Sequence, residues 1–124
     1  MEFDEFSLVL LFRPPDAPQL SEAEADALQD AHLANQADLY EQGYIVASGP
    51  FVDQDDETLR GMALLSVAPE RARELYGTDP AVKAGRLGVQ VMTWKTPAGG
   101  VRFERVRHPR SMADVQRKRP SGQR

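Results

Sequence analysis

Few side chains in this sequence are equipped for chemistry at neutral pH, and the first of them is His32, in "DAHLANQ". An imidazole changes charge near pH 7 without help from its surroundings. Leu28, His32, Asn35 and Leu39 recur at spacings of four, three and four, which is one face of a helix. That face should be apolar, so the histidine set into it is either a packed helix residue or a catalytic base. Arg13 closes an apolar strand-like run and carries a planar guanidinium that suits a substrate carboxylate, or else a solvated strand end. Ser48, Gly49 and Pro50 join a hydroxyl to accessible backbone and fit a pocket wall, although strand bending alone also accounts for them.

Other chemistries are harder to build. There is no cysteine, which removes disulfides, thiolate metal sites and cysteine nucleophiles. The second histidine, His108 in "VRHPR", lies far away in sequence, in a basic stretch where a solvated or surface-packed ring is the default. A histidine-rich metal site would need ligands from several chains, so no metal is expected. The acidic run Asp53–Glu57 lacks the glycine and spacing of a calcium loop and reads as a solvated turn. No nucleotide or flavin motif is present, and no cofactor is expected.

Composition sets the frame. A chain of 124 residues with 41% hydrophobic and 27% charged residues has the size and balance of one globular domain. The longest aliphatic run, Leu8 to Phe12, is far too short to cross a bilayer. The opening Met-Glu-Phe-Asp-Glu is acidic where a secretory signal is basic, so a cytoplasmic protein is expected. Net charge is −4, and it is unevenly spread: 7 basic and 17 acidic residues give −10 over 1–100, whereas 8 and 2 give +6 over 101–124. A basic tail of this kind has two uses, contact with an anionic surface or contact with its own acidic body. The acidic body is a poor nucleic-acid platform, and the tail has no aromatics interleaved after Phe103 for stacking on bases.

The elements that must position these residues read as follows. Ser7–Phe12 is a strand without polar alternation, which implies cover on both faces, and Pro14, Pro15 and Pro18 end it. Ser21 and Glu24 form a capping-box pattern ahead of a long helix that Gly43 terminates. Tyr44–Val52 is a strand with a bend or bulge at Gly49-Pro50, and Leu59–Val67 returns as its hairpin partner, with Gly61 permitting close backbone approach. Pro69 opens a short helix to Tyr76, whose ring belongs to the packing of that helix. Leu87–Trp94 is the last core strand, and Val101–Val106 is expected as a short edge strand. The final residues 117–124 are expected to be disordered. The order βαββαβ is the ferredoxin-like α+β arrangement with an antiparallel sheet and both helices on one face. The bare opposite face predicts a homodimer.

Three stretches, "AHLANQADLYEQGYIVASGPF" (31–51), "LRGMALLSV" (59–67) and "YGTDPAVKAGRLGVQVMTW" (76–94), together resemble the YCII-related family of small dimeric α/β-barrel proteins. The resemblance spans residues 7–96, which gives a domain at 1–96 and a basic extension at 97–124 with no family counterpart. It implies a histidine–aspartate pair at His32 and Asp79, and at least one relative is a dehydrochlorinase of a chlorinated hydroxymuconate-type compound. Asp79 precedes a proline, which restrains its backbone. A carboxylate on one ring nitrogen would orient the imidazole and leave the other free for a substrate proton.

The expectation is therefore a small cofactor-free enzyme of lyase or isomerase type. His32 and Asp79 would transfer protons on a small anionic molecule, with Arg13, Ser48, Gly49 and Pro50 as substrate contacts. The alternative is a non-catalytic small-molecule-binding or regulatory dimer with the same pocket.

Overall fold

In a computed structural model, which describes residues 1–117, one four-stranded antiparallel sheet carries the fold in the order β2-β3-β1-β4. The strands are β1 (Phe3–Phe12), β2 (Ile45–Pro50), β3 (Leu59–Leu65) and β4 (Gly88–Pro97). The helices are α1 (Glu22–Glu41), α2 (Pro69–Tyr76), α3 (Pro80–Lys83) and α4 (Met112–Gln116). This is the expected ferredoxin-like α+β fold, with two further short helices. The expectation of disorder at 117–124 falls, after Arg117, outside the described residues.

Alternation along β1 decides where the core sits. Ser7, Val9 and Leu11 are buried, and Ser7 donates from its hydroxyl to the Val67 carbonyl (2.6 Å). Val9 and Leu11 pack with Ile45, Ala63 and Leu65 from the neighbouring strands, Leu39 and Tyr40 from α1, and Ala72, Leu75 and Tyr76 from α2. Both longer helices thus cover one sheet face. On the other face Phe6, Leu8, Leu10 and Phe12 are only half-buried. Leu64, Met92 and Trp94 flank them in register, the last two 41% and 37% exposed.

The start and stop of α1 follow from its sequence. Ser21 accepts from Glu24 N–H while the Glu24 carboxylate accepts from Ser21 N–H, so the capping box is closed in both directions. Gly43, at φ +89°, takes the left-handed turn that releases the chain into β2. The histidine stripe does face inward: His32 and Leu39 are buried, and Leu28 and Asn35 half-buried.

Three details differ from expectation. The irregularity in β2 lies between Ile45 and Ala47, not at Gly49-Pro50, which stay in register with Met62 and Gly61. Pro50 is tolerated there because β2 is an edge strand. Gly61 is required, since a Cβ on it would stand 2.7 Å from the Gly49 carbonyl oxygen. Residues 101–106 form no strand. Their backbone goes instead to the end of α1, where Val106 N–H donates to the Tyr40 hydroxyl (2.8 Å). Lastly, α3 and α4 occupy stretches read as loop and tail; each begins at a side-chain cap, Asp79 and Ser111 respectively.

Candidate active site

Asp79 is placed by the chain itself. It follows the end of α2 and caps α3, with Pro80 at the first helical position and the Asp79 Oδ1 accepting from Ala81 N–H (2.8 Å). That geometry uses one carboxylate oxygen and points the other at α1. There the Oδ2 accepts from His32 Nδ1–H at 2.6 Å, with His32 5% exposed and Asp79 fully buried. A carboxylate can only accept, so the contact fixes a proton on Nδ1, and in the neutral ring the lone pair is then on Nε2. One carboxylate oxygen thus caps α3 while the other meets His32.

Nε2 of His32 has no hydrogen-bond partner among the described residues, and His32 lines a cavity of about 750 Å³ between α1 and the sheet. Asp79 stands behind the ring and does not reach this space. Tyr76 closes the corner, fully buried, its hydroxyl donating to Gln36 Oε1 (2.8 Å). Burial and the neighbouring Asp79 charge push the Tyr76 phenol far above its ordinary value, so it stays neutral.

All four of the other expected contacts reach the cavity: Arg13, Ser48, Gly49 and Pro50. Arg13 is not a free strand end. It is half-buried, and its Nε donates to the Arg86 carbonyl (3.3 Å). Burial first, then the like charges of Arg86 and Arg60, lower its pKa from the usual arginine value. A guanidinium remains charged regardless. Arg60 lines the same cavity, and among the described residues neither it, Arg13 nor Arg86 has an acidic partner. Asp114, the one carboxylate among the described lining residues, pairs with Arg107 (3.3 Å), so the unpaired guanidiniums of Arg13 and Arg60 favour an anionic guest.

Sequence reasoning missed the residues that the carboxy-terminal segment adds. Arg107, His108 and Met112 also line the cavity. The ring of His108 stacks on Tyr40 (centroids 3.7 Å apart, 21° between planes), and its Nε2 lies 3.1 Å from Ser48 Oγ. Burial lowers the His108 pKa; the Val106 backbone opposes that shift, and the Arg105 charge reinforces it. A signal existed in part, because the acidic body and basic tail suggested self-contact. Arg110 indeed bridges Asp38 (3.0 Å) and Glu41 (2.7 Å) on α1. Nothing in "VRHPR" named Ser48 as the partner.

Among the described residues no group of three His, Cys, Asp or Glu side chains is arranged to hold a metal ion, and no helix is long and apolar enough to cross a membrane. The buried histidine–aspartate corner, the open sheet and the stretches that build them define the class: the chain belongs to the YCII-related family, whose domain model matches residues 8–95. The match ends before the segment that contributes Arg107 and His108. No curated protein matches the chain.

Proposed function

We propose that the protein is a small acid–base enzyme of lyase or isomerase type, working through its own side chains on a small organic anion. The observation that carries this is the 2.6 Å contact between His32 Nδ1 and a fully buried Asp79, in a histidine that lines a cavity shared with Arg13 and Arg60. His32 Nε2 takes a proton from carbon or oxygen of the substrate, and Asp79 stabilises the imidazolium that forms. Arg13 and Arg60 hold the carboxylate and stabilise charge as it spreads toward it in the transition state. Positioned proton transfer of this sort contributes about 10² to 10⁴ in rate, enough for a substrate with an activated C–H.

The test is a screen of small unsaturated and 2-oxo carboxylates in deuterated water, read by mass spectrometry for exchange, elimination or isomerisation. His32→Asn is the informative variant, because its amide keeps a donor for Asp79 while removing the base. Turnover in the wild-type chain that His32→Asn eliminates supports the reading. Turnover that survives the substitution sinks it.

The apolar sheet face supports a second part of the proposal, a homodimer formed face to face through Leu8, Leu10, Met92 and Trp94. Light scattering at micromolar concentration should give twice the chain mass, and Met92→Glu should halve it. A wild-type mass of one chain refutes the dimer and leaves the acid–base site to be judged separately.

A further inference from the structure

The segment beyond the family domain is fastened to α1 at several points. Arg105 lies over the Tyr40 ring (4.2 Å) and donates to the Tyr40 carbonyl (3.0 Å), while Met112 N–H donates to Asp30 Oδ1 (2.8 Å). With Arg110 on Asp38 and Glu41, these contacts run along the exposed side of the helix that carries His32. Tyr40 is left only 3% exposed. The fastening holds His108 flat against Tyr40 with one nitrogen facing β2. Its Nδ1 is buried and makes no bond in full hydrogen-bond geometry, the nearby Val106 backbone included, whereas Nε2 has Ser48 Oγ at 3.1 Å, so a proton on Nε2 gives the neutral ring its better-formed bond. A serine oxygen that accepts this bond still has its own hydrogen to give, and Ser48 lines the His32 cavity.

We propose that the carboxy-terminal segment is a working wall of the site, in which His108 is a positioning residue that donates to Ser48 and thereby aims the Ser48 hydroxyl hydrogen at an oxygen of the bound anion. The inference rests on the reading of the His32 cavity as an anion site. It gives the extension a role in substrate binding that residues 8–95 do not supply by themselves.

Two measurements on the full chain test it. In the ligand-free protein, long-range ¹H–¹⁵N correlation at neutral pH should find His108 as the Nε2–H tautomer, and Ser48→Ala should shift its signals. For binding, maleate serves as a small unsaturated dianion, titrated by calorimetry. His108→Phe retains a ring to stack on Tyr40 but has no donor, and should weaken maleate about tenfold, as expected for a hydrogen bond to a charged group. Ser48→Ala should do the same. The double variant should be no weaker than either single one, because the two residues act as a unit. His108→Gln, with an amide donor near the Nε2 position, should recover most of the loss. An Nδ1–H tautomer, or His108→Phe indistinguishable from wild type toward maleate, whether both bind or neither does, overturns the proposal. His32→Asn reads the underlying site independently: loss of maleate there, with none in His108→Phe, retains the anion site and rejects the wall.

Discussion

The two histidines of this chain stand on one cavity in opposite circumstances, and the contrast shows how neighbours decide what an imidazole can do. His32 has a buried carboxylate on Nδ1, itself locked by the start of α3, so every group behind the ring is satisfied. His108 has an orphaned Nδ1, a cation nearby in Arg105, and an aromatic plate beneath it. The first ring has a carboxylate to donate to, whereas burial and the Arg105 charge make the second resist an added proton. Residue type alone assigns the same chemistry to both; on the proposed reading the neighbours divide it between a base and a donor.

The largest effect that would break this comparison lies at the His32 corner. His32→Ala leaves a fully buried Asp79 carboxylate short of one partner, a situation that typically costs about 3–5 kcal/mol. Urea unfolding should show that loss, and His32→Asn should recover most of it, since the amide again donates to Asp79. Equal stabilities for His32→Ala and wild type would mean that the carboxylate is not ionised in the folded state.

Next in size is catalysis. With a substrate in hand, His32→Asn should lower turnover by about 10² to 10⁴. Asp79→Asn should lower it nearly as far, because an amide that keeps Ala81 N–H on its oxygen presents its NH₂ to His32 and reverses the tautomer. A turnover unchanged in Asp79→Asn would reduce Asp79 to a helix cap.

A smaller effect distinguishes the two rings by pH. The folded-state pKa of His108 is lowered by burial, so the unfolded chain binds the extra proton first as pH falls below about 6.5. Stability should therefore decline as pH drops through that value toward the lower folded one. His108→Phe should flatten the decline, as followed by thermal unfolding between pH 7 and pH 5. An unaltered slope would place the titration elsewhere.

The smallest effect is expected at the fastening itself. The Arg110 pairs with Asp38 and Glu41 are exposed, and Arg110→Gln should hardly alter unfolding. It should loosen the segment instead, with faster amide exchange at Val106, and raised salt should mimic it. Exchange at Val106 unmoved by either change would assign the docking to Tyr40 alone.

The fold was largely legible because its punctuation is local. Ser21 with Glu24, Pro69 and Gly43 act within one turn of the backbone they control, and α1 and α2 lie where those residues put them. The "TDP" start of α3 was as local and could have been read, since an aspartate before proline is both a cap and a helix opening. Residues 101–106 misled for the opposite reason. Their strand-like composition states a preference, but the sheet edge they would need is forgone for a hydrogen bond to Tyr40, more than sixty positions earlier.

What the sequence determined by itself was the set of elements, the inward stripe that carries His32, and the stretches by which the family is read. Each depends on side chains a few positions apart, where spacing and direction are set by helix and strand geometry. Only the tertiary structure decided that Asp79 meets His32 across 47 positions and that Ser48 faces His108 across 60. It also gathered Arg13 and Arg60, neither of them paired with an acid among the described residues, at one cavity. Such contacts arise from how the layers pack and where the segment after β4 lies. Neither is encoded in any single window of the chain.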